Sequence, residues 1–334
     1  MSAPSAPSPQ HVLVILPTYN RAPLLPTAIE SVLEQDYPHK KLVVVDDGST
    51  DDTAAVCRRY LGDSRGAVSY VFKPNGGCAS GRNKGLQSID ADTAYVCFVD
   101  SDDRLLPGKL SREVALLAGH PEAQFTYADS ILFEEETGEE ELRKAAGAGA
   151  PDHFALRHFL TLEAKVSSIL YRAEVFKTRR FREDTRYNDD SDFLQRLALE
   201  SRGVYCDQPS SWIRSHAGSQ SRNLVGIYRA VIGSCREILH VYPDFHRAHT
   251  SRLDERMEEL RLLLVQELMQ QRRHREARAE TTTRLESLIV AARLRRLHRL
   301  HVNLRVFLRE PQRVRRAYWM AHIALRKSMG RLPS

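Results

Sequence analysis

From His11 to Leu110 the chain alternates short apolar runs with segments of helical spacing, and the apolar runs break off into turn or acidic residues. HVLVILP, KKLVVVDD, VSYVF and TAYVCFVD have the length and β-branched character of buried strands. LLPTAIESVLEQ, DDTAAVCRRYLG and the segment after NGGCASGRNKG carry helical spacing. Strands alternating with helices of roughly a dozen residues predict βαβ units and an α/β fold with a mainly parallel sheet. The carboxyl ends of such strands share one edge, and ligands gather there. Asp46 and Asp47 end the second run, and Asp100, Asp102 and Asp103 end the fourth, so this pattern sends its carboxylates to that edge. Ser49 or Thr50 is expected to cap the helix after the second run, which should stop at Gly62.

Three carboxylates in four positions repel one another and are costly to desolvate. A hard divalent cation, Mg²⁺ or Mn²⁺, removes that repulsion and takes such oxygen ligands together with phosphate oxygens. The alternative is a solvated acidic turn ahead of the helix expected near Pro107. Tyr19, at the end of the first run, suits stacking on a nucleobase. Asp47 could accept an imide N–H of a uracil-like base, with Asp46 shaping the pocket, although DDGS is also a good turn and cap. In NGGCASGRNKG, Gly76, Gly77 and Gly81 allow close backbone approach, and Arg82 or Lys84 could meet phosphate or sugar. Arg82 and Asn83 stand where a Walker A loop needs Lys and Ser or Thr, and GxGxxG is not matched, which disfavours a dinucleotide enzyme. Asp189, Asp190 and Asp192 precede the helical pattern of Phe193, Leu194 and Leu197. They read as helix caps or, beside an acceptor hydroxyl, as a general base. His216 lies among Arg214, Ser219 and Ser221 and reads as a hydrogen-bonded histidine or a ligand.

Beyond Pro107 the pattern loosens. AQFTYADSILF reads as a strand and EEETGEEELRKAAGAGAP as an exposed, flexible loop. VSSILYRAEVF, YNDDSDFLQRLALE and GVYCDQPSSWIRSH read as strand, helix and strand, a mixed extension of the sheet facing an acceptor. From about Val225 the chain is helical in pattern. Residues 251–334 hold 20 basic against 9 acidic groups, while residues 1–250 hold 29 against 34, which marks a distinct basic C-terminal region. From Arg293 onward, arginines interleave with Phe307, Tyr318 and Trp319. Three readings stand there: helices packed on the domain with solvated arginines, an amphipathic surface for anionic lipid, or contacts between copies of the chain. No nucleic-acid partner is expected. Five scattered cysteines without CxxC spacing argue for a reducing compartment, and residues 1–10 read as a disordered lead rather than a signal peptide. No apolar run approaches the ~20 residues of a membrane span, so a cytoplasmic protein is expected.

Read in order, VILPTYNR, SVLEQDYP, LVVVDDGSTDDT, NGGCASGRNKG, FVDSDDRLLPGKL, NDDSDF and IRSHAGSQS resemble the inverting glycosyltransferases of family 2, which have the GT-A fold. The likeness covers residues 11 to about 222 and implies a GT-A domain over 11–224, a nucleotide-binding half (11–110) followed by an acceptor half (111–224), with a helical region over 225–334. It implies a metal-dependent transfer of sugar from a nucleoside-diphosphate donor, UDP foremost, to a hydroxyl of a glycan or lipid-linked acceptor. The expected place is the cytoplasm, with the basic C-terminal helices open to a peripheral contact at the inner face of the membrane. Carried over by position, Pro17, Thr18, Tyr19, Arg21, Asp46, Asp47, Gly77, Arg82, Asn83, Asp100, Ser101 and Asp102 would bind the donor. Asp102, Asp103 and His216 would hold the cation, and Asp190 would be the catalytic base with Asp189 as second choice. The family's Glu-Asp pair is Asp189-Asp190 here, a departure that puts the role of the shorter side chain in question. A non-catalytic nucleotide-binding protein and a nucleotidyltransferase are the rival readings.

Overall fold

The computed structural model describes residues 10–62, 67–145, 154–162 and 164–280. In chain order the first half comprises β1 (His11–Thr18), α1 (Leu25–Leu33), β2 (Lys40–Asp46), α2 (Thr53–Arg58), β3 (Ala67–Phe72), α3 (Cys78–Gly85) and β4 (Thr93–Phe98). There follow β5 (Arg104–Leu105), α4 (Lys109–Gly119), β6 (Ala123–Glu134), β7 (Glu139–Arg143), α5 (Phe154–Thr161), β8 (Leu170–Arg172), α6 (Asp189–Glu200) and β9 (Arg202–Ser215). The last described elements are α7 (Leu224–Val241), α8 (Pro243–Gln270) and α9 (His274–Ala279). Residues up to Arg272 belong to one compact unit, and α9 to a second.

One mixed sheet runs β3-β2-β1-β4-β8-β6-β9-β5, with β7 paired to β6. β3, β2, β1 and β4 are parallel, as the alternation predicts. The register pairs Thr18 with Asp46 and Ile15 with Phe98, so the loops after β1, β2 and β4 leave the same edge. β1 explains why the sheet is central: Val12 to Leu16 are buried on both faces, as a parallel strand between helical layers must be. Val12, Val14 and Leu16 pack with Leu25, Ile29 and Val32 of α1, while Leu13 and Ile15 point to the opposite core of Leu86, Phe98, Phe176 and Phe193.

α3 lies close on β1 because Gly85 has no side chain. A Cβ there would sit 2.3 Å from Ile15 Cγ2. Gly85→Ala is therefore expected to destabilise the fold by about 1–3 kcal/mol through overpacking, seen as a lower urea midpoint with unchanged slope.

The second half departs from the expectations in several places. Glu139–Arg143, read as part of a flexible loop, is the edge strand β7, because a turn at Gly138 (φ 72°) folds it back onto β6. VSSILYRAEVF is not one strand: only Leu170–Arg172 is, between a 3₁₀ turn at Val166–Ser168 and another at Ala173–Lys177. α5 and the two-residue β5 had no recognised signal. α2 is capped by neither Ser49 nor Thr50; its first residue, Thr53, is held by the Asp51 carboxylate, and the helix ends at Arg58, short of Gly62. The helical reading from Val225 is met by α7, whose first turn is capped by Asn223 accepting from the Gly226 amide at 3.0 Å. The arginine-rich segment from Arg293, like the lead before Gln10, lies outside the described residues. Among the described residues no helix is long and apolar enough to cross a membrane.

Candidate active site

The carboxyl edge of β1, β2 and β4 brings together residues from five segments of chain. At its centre is Arg82, on α3, with only 2% of its surface exposed. Its guanidinium donates to Asp100 Oδ1 at 2.7 Å and to Asp189 Oδ2. Arg82 thus joins the turn after β4 to the start of α6, itself lying 107 residues from Asp189 in the chain. Burial raises the Asp189 carboxyl to about 6, against the pull of Arg82 and with the push of Asp190 and Asp100. Asp100 is also pushed up, by burial against the pull of Arg82 and by the charges of Asp102 and Asp190; 35% of its side chain is open, so water screens part of this. Asp190 belongs to the same cluster, since its charge acts on Asp100, Asp189 and Arg82. Its own carboxylate is half-buried and, among the described residues, accepts only the Ser191 amide at 2.8 Å.

The DxDD turn is built from outside itself. Asp103 is buried; its Oδ2 accepts from Ser167 Oγ at 2.8 Å and its Oδ1 from the Arg214 amide at 3.2 Å. The same Ser167 hydroxyl accepts the Asp100 amide at 3.3 Å. Burial and the neighbouring charges of Asp100 and Asp102 hold the Asp103 carboxyl well above the usual carboxylate range. Asp102 faces outward from this turn and pairs with His216 Nε2 at 3.0 Å. Ser101 is buried. An amide N–H, that of Gly218, points at His216 Nδ1 at 3.1 Å, so Nδ1 accepts and Nε2 carries the ring proton toward Asp102.

Other predicted donor contacts have partners within the protein. Both Asp47 oxygens accept backbone amides, from Gly76 at 2.9 Å and Gly77 at 2.7 Å, and Lys73 pairs with the same carboxylate. Gly77 takes φ 90° to make that contact. Asp46 accepts the Ser49 amide at 2.8 Å and the Tyr70 hydroxyl at 2.7 Å, which closes the DDGS turn. Asn83 trades two bonds with the backbone of Phe181, 2.9 and 3.0 Å, and so anchors the loop that leads to Asp189. Pro17 lies against α3, where a Cβ on Gly81 would meet its Cβ at 3.1 Å. Thr18 is buried, and Tyr19 is 48% exposed at the mouth of the edge. Arg21 reaches across to the Gly218 carbonyl at 2.8 Å. The edge therefore gathers Arg21, Arg82, Asp100, Asp102, Asp103, Asp189, Asp190 and His216, while Asp46, Asp47 and Asn83 brace its walls. Sequence reasoning missed Ser167, Lys73 and the Gly218 amide; nothing in KVSSIL distinguishes a turn that organises a distant carboxylate.

Among the described residues no three His, Cys, Asp or Glu side chains converge tightly enough to enclose a metal ion by themselves. The donor set still fits a hard cation of the kind that keeps few protein ligands and completes its shell with phosphate oxygens and water. Asp102 has one oxygen outside its bond to His216, and Asp103 stands directly behind it.

The half-parallel mixed sheet flanked by helices is the architecture of the GT-A class. The chain belongs to glycosyl transferase family 2, whose family model matches residues 13–182. It is similar to the minor teichoic acid biosynthesis protein GgaB of Bacillus subtilis, 27% identical over 199 residues, which are 57% of this chain and 21% of that one. The chain spans about a third of the length of other curated relatives that it matches, 31% of two of them and 41% of a third. Its fold is that of S. aureus TarS 1–349 in complex with UDP-GlcNAc (TM-score 0.59, 20% identity, 81% of this chain and 88% of that one). It is also that of the mannosyltransferase PcManGT from Pyrobaculum calidifontis in complex with GDP-Man and Mn²⁺ (TM-score 0.55, 19% identity, 90% and 85%).

Proposed function

We propose that the protein transfers a sugar from a nucleoside-diphosphate sugar, with UDP the favoured carrier, to a hydroxyl of a glycan or lipid-linked acceptor in cell-surface polymer synthesis, with inversion at the anomeric carbon. The observation that carries this reading is the division of labour between neighbouring aspartates. Asp189 is taken by Arg82, whereas Asp190, in the same cluster, keeps an oxygen outside the one bond it makes among the described residues. Asp190 is thus the group left to accept the acceptor's proton as its oxygen attacks. Similarity to a teichoic acid protein and to structures holding UDP-GlcNAc and GDP-Man supports the donor and acceptor classes.

Asp102 would hold a divalent cation, with Asp103 behind it and His216 beside it. A bound cation would neutralise charge growing on the leaving diphosphate. Ligation through His216 Nε2 would require the ring proton to move to Nδ1 and the Gly218 amide to release it. Tyr19, open at the mouth, would stack on the base. Arg82 is held by two carboxylates through its terminal nitrogens and would serve the leaving group through their placement.

A screen of common nucleotide sugars with Mn²⁺ or Mg²⁺, read as nucleoside diphosphate release, tests this reading. Pyrophosphate release in its place would identify a nucleotidyltransferase, and no turnover with any donor would favour the non-catalytic alternative. Asp102→Ala should weaken cation-dependent donor binding roughly 10- to 100-fold, measured by titration calorimetry with the nucleoside diphosphate and cation. Unchanged affinity would remove Asp102 from the cation site.

A further inference from the structure

We infer that Arg21 is a positioning residue for the transfer reaction, acting through Gly218 and His216 on the Asp102 carboxylate. Three hydrogen bonds in series carry the inference. The Arg21 guanidinium donates through Nη2 to the Gly218 carbonyl at 2.8 Å. The Gly218 amide donates to His216 Nδ1 at 3.1 Å. The His216 ring meets Asp102 Oδ2 through Nε2 at 3.0 Å. The ends of the series come from loops after β1 and β4, on either side of the edge, and its middle from the turn that follows β9. One residue, Gly218, is touched from both directions.

The chemistry makes the series directional. A neutral imidazole has one donor and one acceptor nitrogen, and the group bonded to one nitrogen decides which tautomer is present. An N–H aimed at Nδ1 selects the tautomer with its proton on Nε2, the one able to donate to Asp102. The Gly218 amide and carbonyl belong to adjoining peptide units, so Arg21 acts on the amide through the backbone conformation of this glycine, while the Ser219 amide, donating to the His216 carbonyl at 3.0 Å, holds the turn itself. The space is filled on both sides: a Cβ on Gly218 would meet His216 Nδ1 at 3.3 Å and Arg21 Nη1 at 3.4 Å. The His216 backbone is secured separately, its amide donating to Ser219 Oγ at 3.0 Å and its carbonyl accepting from Arg222 Nε at 3.0 Å. Loss of Arg21 therefore loosens the Gly218 backbone conformation, and with it the aim of its amide at the ring, without dismantling the turn. Arg21 follows Tyr19 by two residues, so a base seated on Tyr19 and a carboxylate facing the diphosphate are joined by one chain of bonds. Outer partners of this kind commonly set the aim of the groups that touch a ligand.

The purpose of the relay rests on the reading of Asp102 as the carboxylate that faces the donor's diphosphate, and the test separates the two. In full-length protein labelled with ¹⁵N-histidine, long-range ¹H–¹⁵N spectra report the tautomer of His216, assigned by its loss in His216→Gln. Wild type should show the single tautomer with the proton on Nε2. Arg21→Ala should show a tautomer mixture and a donor KM raised ~10- to 100-fold with a smaller change in kcat, at an unchanged urea midpoint. Arg21→Lys, which can donate one bond to the same carbonyl, should return both readouts toward wild type. An unchanged tautomer in Arg21→Ala overturns the relay, whether KM moves or not. A scrambled tautomer in Arg21→Ala together with normal donor binding in Asp102→Ala supports the relay and discards the role assigned to Asp102.

Discussion

Asp190→Asn is expected to lower turnover at least ~100-fold while leaving donor affinity near wild type, the scale on which a positioned general base acts. Asn keeps the shape of the side chain and can still accept the Ser191 amide at 2.8 Å, so the start of α6 should hold. What it loses is a lone pair basic enough to take a proton from an attacking hydroxyl. Steady-state kinetics on the best donor from the screen, paired with calorimetric titration of nucleoside diphosphate, would read both quantities. Asp189→Asn is the informative companion. That carboxylate is already committed to Arg82, so the change should weaken a buried ion pair and appear in stability as well as in rate. Full activity in Asp190→Asn would move the base elsewhere.

The second large effect is expected from Arg82→Met. The Arg82 side chain is 3% exposed and holds Asp189, whose side chain is 9% exposed, and Asp100, at 35%. Met keeps the length of the stem and removes the charge, which leaves Asp189 uncompensated in the interior. Removing one partner of a buried pair costs about 3–5 kcal/mol, read as the shift in urea midpoint. The loss should depend on pH in a definite direction. The Asp189 carboxyl is raised to about 6 in the folded protein, above its unfolded value, so folding favours its protonated form. A protonated Asp189 no longer needs the guanidinium. The gap between wild type and variant is therefore widest at about pH 8 and should narrow toward about pH 5. A gap that widens as the pH falls would mean that Asp189 is not the group Arg82 neutralises.

The parallel half was legible because its signal is local. Val12–Leu16, Val43–Val45 and Tyr95–Val99 are continuous apolar runs, and a run buried on both faces has few folds open to it. β7 was not legible: Glu139–Arg143 is mostly exposed and charged, and what makes it a strand is the edge of β6 rather than its own composition. β8 shows the converse. Leu170–Arg172 is only three residues long because the sheet needs an antiparallel partner there for β4, while the flanking residues turn. The same division runs through the site. Asp100, Asp102 and Asp103 could be singled out from spacing, since clustered carboxylates at strand ends are costly unless used, whereas Asp190 was set apart from Asp189 and Asp192 only by its place in the family motif. Asp47 was singled out on the same ground, yet its oxygens serve the Gly76 and Gly77 amides.

The order of residues by itself determined that a parallel α/β half would form and that its acidic strand ends would meet along one edge, because apolar periodicity and chain connectivity leave little else. Only the tertiary structure decided which acid is bound and which is free. That choice depends on where Arg82, Ser167 and the Gly218 peptide arrive from distant stretches of chain, and hydrogen-bond partners in space leave no trace in spacing along it.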